Sequence, residues 1–292
     1  MTSPEWIDLP HVQGVSHRAV DVHGLRLHVA EAGSGTPLLL LHGWPQHWWA
    51  WRHVVPKLAA RHRVVMPDIR GLGWSQGRPG HYSIADLASD VPGLMDELEI
   101  ERGSLIGHDW GAAIGYYACL TWPQRFESFV ALGGLNPWAA EGAPLRLWLR
   151  PWHIAALAMC PPGTITSAVA SRSLRTWRHI GKFTSEEVET YTNVLRKQTP
   201  ATATRDYYRN VAFHELLHYA RHFREMRLET RTLHLNGAVD PLTRGMARSW
   251  MRYANDMELR LVPGCGHFLP EECPDLVAQA VTDFFAAQTK DD

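Results

Sequence analysis

Five residues, Gly107-His108-Asp109-Trp110-Gly111, restrict this chain more than any other stretch. The frame is G-x-X-x-G, a tight turn from strand to helix whose glycines let the backbone crowd the central residue and push its side chain out above a sheet. Leu105 and Ile106 ahead of it are apolar, as a buried strand requires. Gly111-Ala112-Ala113-Ile114-Gly115 behind it puts small residues on the inner turns of a helix packed closely on that sheet. Where ester-cleaving enzymes place serine in such a turn, this chain has aspartate. A carboxylate with an ordinary pKa of about 3.9 is ionised at neutral pH and attacks without a base. On a carboxylic ester or amide it would form a high-energy anhydride, whereas on polarised saturated carbon it forms an ordinary ester. The turn therefore predicts alkylation of Asp109 by a substrate such as an epoxide or an organic halide.

An alkyl ester must then be hydrolysed, which calls for water activated by a histidine and an acid. Leu259, Leu261 and Val262 give a short strand pattern running into Gly264-Cys265-Gly266-His267-Phe268, which sets His267 on a loop at a strand's end, ahead of a helix beginning near Pro274. Thr232 to Gly237 reads as another strand and turn, followed by Asp240. Asp240 would hold the imidazole tautomer while the other ring nitrogen takes a proton from water. The oxyanion of that step needs backbone donors. Leu38 to Leu41 followed by His42-Gly43-Trp44-Pro45 supplies a buried strand and turn, making the amides of Trp44 and Trp110 the expected pair. This cycle requires neither a metal nor a cofactor.

Along the chain, Ala19 to Ala32 reads as a hairpin turning at His23-Gly24, and strand patterns recur near 37 to 41, 63 to 66, 103 to 107 and 127 to 132. Helical patterns separate them, which implies a mostly parallel sheet with helices on both faces and functional loops at the strands' C-terminal ends. After Gly133-Gly134-Leu135-Asn136-Pro137 the alternation stops; a helical stretch rich in Trp and Arg runs to about Met226 before strands resume. The expected organisation is a core formed by 1–136 and 227–292, interrupted by a helical cap at 137–226.

Taken together, His42-Gly43-Trp44-Pro45 with Trp51-Arg52, Asp68-Ile69-Arg70-Gly71, His108-Asp109-Trp110-Gly111 and Gly266-His267-Phe268 resemble the epoxide hydrolase branch of the α/β-hydrolase family. The order Asp109, Asp240, His267 is that of the family as well. The resemblance covers nearly the whole chain and implies an α/β-hydrolase fold, with a mostly parallel eight-stranded sheet and a helical cap inserted after strand 6. It also implies two cap donors, usually tyrosines, that polarise the epoxide oxygen. A tyrosine with pKa near 10 donates downhill to the far more basic alkoxide. Asp206-Tyr207-Tyr208-Arg209-Asn210 is similar to the family's aromatic-Tyr-Arg segment, with Tyr208 as the matching donor and Tyr207 as a packing residue. In Pro151-Trp152-His153-Ile154, His153 stands where the other tyrosine is usual and is expected to share the epoxide oxygen.

Two other functions are compatible with parts of this pattern. A haloalkane or haloacid dehalogenase uses the same Asp, His and acid, but holds the leaving halide with two side-chain N–H groups, among which the Trp110 indole would serve. Many dehalogenases carry asparagine where this chain has Trp44, and none of their steps needs Tyr208. A non-catalytic binding protein on the same fold is the other alternative. His214-Glu215-Leu216-Leu217-His218 matches the zinc motif H-E-x-x-H, but Arg221 and Arg224 stand where its extended form needs glycine and histidine. With 17 histidines in the chain, chance explains the match, and the segment reads as a helix with its polar side to solvent.

Lys and Arg number 29 against 30 Asp and Glu, so no basic excess points to nucleic acid or an anionic membrane. A small apolar epoxide is the expected partner, with a homodimer left open. The N-terminal run has neither a basic start nor an apolar stretch, and a cytoplasmic location is expected. Cysteines 119, 160, 265 and 273 have no metal-ligand spacing and read as reduced packing residues. Asp68 and Arg70 read as a pair bracing their loop, and His108 as packing beside the elbow. Most of the 13 tryptophans belong in the core.

Overall fold

The computed structural model describes residues 6, 8–134, 136–138, 152–159, 161, 163–215, 222–223, 225–240, 242 and 251–288. Eight strands form one sheet: β1 (Ser16–Val22), β2 (Leu25–Ala32), β3 (Thr36–Leu41), β4 (His62–Pro67), β5 (Gly103–His108), β6 (Phe126–Leu132), β7 (Arg231–Gly237) and β8 (Met257–Val262). Their order is β1-β2-β4-β3-β5-β6-β7-β8. From β4 across to β8 all neighbours run parallel, and the β1–β2 hairpin lies antiparallel on the β4 edge.

The central strands are apolar on both faces because both are covered. Leu39 and Leu41 of β3, Leu105 of β5 and Phe129 and Ala131 of β6 face one core, with α2 (Ile84–Glu97) and α3 (Trp110–Thr121). Leu38, Leu40, Ile106, Val130 and Leu132 face the other, with α1 (Val55–Leu58), α9 (Pro274–Gln288) and the 3-10 turn Trp48–Trp51. Each fully buried leucine contributes about 1.5–3 kcal/mol of hydrophobic stabilisation. Trp48 and Trp51 are spent in this second core, whereas Trp44 packs in the first.

Between β6 and β7 the chain leaves the sheet for helices α4 (Trp152–Met159), α5 (Thr164–Trp177), α6 (Ser185–Leu195) and α7 (Gln198–Asn210), the last running into a π-helical turn, Val211–Glu215. Tyr191, Tyr207 and Tyr208 of this insertion join the core on the α3 face. The short helix α8 (Leu269–Glu272) follows β8 and leads into α9. Strand order reverses between β3 and β5, and crevices at such points, beyond the strands' C-terminal ends, are where open α/β sheets bind ligands. Among the described residues no helix is long and apolar enough to cross a membrane.

Candidate active site

Asp109 occupies the turn between β5 and α3 with φ 51° and ψ −113°, a conformation that costs a non-glycine residue about 1–3 kcal/mol. The surroundings hold it there. Its N–H donates to the Leu132 carbonyl at 3.1 Å, and the flanking glycines allow the close approach the turn needs. A Cβ on Gly107 would strike the Gly111 carbonyl, and one on Gly111 would strike the Leu41 carbonyl. The Asp109 carboxylate is thereby presented to the loop after β3. Its Oδ2 accepts the Trp44 amide at 2.9 Å, and the carboxylate also accepts the Trp110 amide. Burial raises its pKa above the ordinary carboxylate value; His267 and the two amides oppose that only in part.

His267 follows β8, and its Nδ1 lies 3.2 Å from Asp240 Oδ2. Asp240 is itself oriented by the Leu242 amide, 2.8 Å from its other oxygen. The remaining ring nitrogen, His267 Nε2, is 3.7 Å from Asp109 Oδ1 and has no hydrogen-bond partner among the described residues. Burial alone would lower the imidazole pKa, but Asp240 and then Asp109 outweigh it and raise the value. His108 lies beside the elbow as expected from the sequence, with its Nε2 donating to the His267 carbonyl at 2.9 Å.

The helical insertion closes the other side. Tyr208 of α7 sets its ring edge-on to Trp44 and to Trp110, both at 5.5 Å between centroids, so it meets the two residues whose amides hold Asp109. Burial together with the Asp109 charge holds the Tyr208 phenol pKa well above 10, and the neighbouring Trp110 side chain opposes that only in part. His153 of α4 lies 5.9 Å from the Tyr208 ring and 4.6 Å from Trp177. Burial and then His267 lower its pKa to about 4, so it is uncharged at neutral pH. All seven residues singled out in the sequence, Asp109, His267, Asp240, Tyr208, His153, Trp44 and Trp110, thus gather at one place. Tyr207 turns away, donating its hydroxyl to the Arg70 carbonyl.

Three readings change. Asp68 and Arg70 each brace their loop, but not as a pair. Asp68 accepts from the Trp48 and Trp74 amides at 2.9 and 3.0 Å and meets His28 at 2.8 Å, whereas Arg70 grips Asp90 with both arms of its guanidinium. Glu215 faces inward instead of to solvent, accepting the Ile84 amide at 2.9 Å at the start of α2; Leu216 to His218 lie outside the described residues. Cys265 and Cys273, expected as separate thiols, are joined sulfur to sulfur with Cα atoms 6.6 Å apart, because the turn after β8 folds back on α8. Cys119 is buried and single as expected, and Cys160 lies outside the described residues. Among the described residues, His53, Glu187 and Glu271 converge closely enough to offer ligands to a cation, but Arg52 already bridges the two carboxylates, at 2.6 and 2.7 Å.

Two neighbours were not foreseen. Thr204, one helical turn before Tyr208 and fully buried, accepts the Trp44 indole N–H at 3.2 Å and so locks α7 to the loop that carries the Trp44 amide. Its spacing of four from Tyr208 was a signal available in the sequence. Trp177, at the end of α5, stacks edge-on to His267 at 5.7 Å and takes the His267 amide on its carbonyl at 3.2 Å. No spacing rule points to it.

Comparison with known proteins places this geometry. The model of the alpha/beta hydrolase fold family matches residues 36–274. A soluble epoxide hydrolase of Corynebacterium sp. (strain C12) is 30% identical over 288 residues, covering 93% of this chain and 98% of the relative. Epoxide hydrolase 4 of Mus musculus is 28% identical over 289 residues, 92% of this chain and 79% of the relative. Among solved structures, the epoxide hydrolase CorEH without ligand superposes with a TM-score of 0.82 at 28% identity, covering 94% of this chain and 99% of that one. The chain belongs to the α/β-hydrolase family, in its epoxide hydrolase branch.

Proposed function

We propose that this chain hydrolyses a small apolar epoxide to a vicinal diol through an ester of Asp109. The observation that carries the reading is the seat of Tyr208 against Trp44 and Trp110, the residues whose amides meet the Asp109 carboxylate. The names of the Corynebacterium and mouse relatives support the same substrate class.

Asp109 Oδ1 is the attacking atom, because Oδ2 is held by the Trp44 amide and becomes the ester carbonyl oxygen. It displaces the ring oxygen from a saturated carbon while Tyr208, with His153 beside it, donates to the developing alkoxide. The Trp110 side chain beside Tyr208 favours the phenolate that this donation leaves. Alkylation removes the Asp109 charge, one of the causes that raise both Tyr208 and His267. The phenol thus becomes a stronger acid as the alkoxide forms, and the imidazole is released toward the neutral form that acts as base. His267 Nε2, oriented by Asp240, then takes a proton from water as that water attacks the ester carbon. The amides of Trp44 and Trp110 hold the oxyanion. Cleavage of the bond between the ester carbon and Oδ1, with the leaving oxygen taking the proton from His267, frees the diol, and the Asp109 carboxylic acid so formed returns its proton through solvent to the Tyr208 phenolate.

The dehalogenase alternative needs two indole or amide N–H groups at the leaving group. The Trp44 indole is engaged by Thr204, so it does not pair with the Trp110 indole at a leaving halide, which favours the epoxide. In this reading 137–226 form the cap over a core made of 1–136 and 227–292, and the enzyme acts in the cytoplasm. Purified protein supplied with matched epoxides and halides should release diol and no halide. Halide alone would establish the dehalogenase, and no turnover of either would favour a binding protein.

A further inference from the structure

Glu272 closes α8, five residues after His267, and its side chain is buried. A buried carboxylate is costly unless its lone pairs are filled, and here four backbone N–H groups fill them. Two flank the histidine: Gly266 N–H reaches Oε2 and Phe268 N–H reaches Oε1, each at 3.0 Å. The other two come from the insertion, where His179 and Ile180, just past α5, both donate to Oε2 at 2.8 Å. The His267 amide is itself tied to the same segment through the Trp177 carbonyl. One carboxylate therefore grips the histidine loop on both sides of His267 and fastens it to the cap. If the cap lifts, half of the donors to Oε2 and Oε1 go with it, and a hydrogen-bonded network of this kind loses more than one bond at a time.

We infer that Glu272 is the positioning residue of His267, tying ester hydrolysis to the cap segment just past α5, while alkylation by Asp109 is largely independent of Glu272. The asymmetry follows from the geometry. Asp109 is held by the elbow and by the Trp44 and Trp110 amides, none of which touches Glu272, whereas the aim of His267 Nε2 depends on the backbone that Glu272 holds. The inference rests on the Asp109 ester reading.

The test is rapid-quench, intact-mass kinetics of the full chain with styrene oxide, comparing the wild type, His267→Gln, Glu272→Gln and Glu272→Asp, each checked for folding by circular dichroism. Gln keeps one acceptor oxygen and removes the charge; Asp keeps the charge and withdraws it by one methylene. In both Glu272 variants alkylation should stay within about twofold while hydrolysis falls roughly tenfold to a hundredfold. The ester adduct should accumulate in the steady state, and kcat and KM should fall together with kcat/KM retained. Equal loss in both steps, or no loss in either, would overturn the inference, and should Glu272→Gln not fold, the rates of Glu272→Asp decide it alone. His267→Gln separates the two failures. An adduct there without one in the Glu272 variants would overturn the role of Glu272 only, whereas no adduct in His267→Gln would count against the Asp109 ester itself.

Discussion

At the scale of residues, one charge governs the site. The Asp109 carboxylate sits beside His267 and Tyr208 and shifts both, so its ionisation and its alkylation set which neighbour can act. Asp109 must be ionised to attack, and burial raises its pKa from 3.8, so kcat/KM should fall on the acid side through a pKa above that value. Tyr208 must stay protonated to donate, and its pKa lies above 10, so alkylation followed by tryptophan fluorescence should hold its rate from neutral pH to 10. A loss of alkylation between pH 8 and about 9, below the range of even an ordinary phenol with pKa about 10, would point to a different donor. Asp109→Asn should cost roughly 10³-fold or more in turnover, as expected for a group that forms the covalent intermediate. Tyr208→Phe should slow alkylation roughly tenfold to a hundredfold, with His153 as the remaining donor. Steady-state and single-turnover rates on the same epoxide read both effects.

At the scale of elements, α7 performs three tasks from neighbouring positions. Thr204 locks the Trp44 indole, Tyr207 ties the helix to the Arg70 carbonyl, and Tyr208 faces Asp109. The Tyr207-Tyr208 pair was recognisable from its local motif, because an aromatic pair before arginine is a signal within one segment. For Thr204 the spacing of four from Tyr208 marked only a shared helix face, because its partner is an indole 160 positions earlier in the chain. Thr204→Val should leave that buried N–H unsatisfied, a cost of about 1–3 kcal/mol, seen as a lower melting temperature together with slower alkylation. The same distance effect hid Glu215, whose partner is the first amide of α2, far from the H-E-x-x-H frame that drew notice to it. Burial raises its carboxyl from 4.5 to about 7. A folded-state pKa above the unfolded one gives stability that is present below pH 4.5 and lost as pH rises through about 7. Glu215→Gln should therefore raise the melting temperature at pH 8 and leave it nearly unchanged at pH 4, as read by calorimetry; a variant less stable at pH 8 would show that the ionised carboxylate is the better latch.

At the scale of the whole molecule, the alternation of strands and helices made the architecture legible, because the central parallel strands are apolar on both faces and each parallel crossover must carry a helix. The same topology gathers loops from distant parts of the chain at one end of the sheet, so Asp109, Asp240 and His267 could be matched one by one in their separate loops. What stayed hidden was what joins those loops. Arg70 chose Asp90 over the nearer-in-sequence Asp68, and Glu272 reaches Gly266, Phe268, His179 and Ile180 at once. Such partners are chosen by packing between elements, which no local spacing encodes. The central claim, that Asp109 gives its own oxygen to the product, is tested most directly by a single turnover with enzyme in excess in 18O-labelled water. Attack by Asp109 followed by hydrolysis at the ester carbon predicts a diol without label and 18O in the carboxylate of the peptide carrying Asp109. Label in the diol, with an unlabelled Asp109, would mean that water opens the ring directly and would contradict the ester.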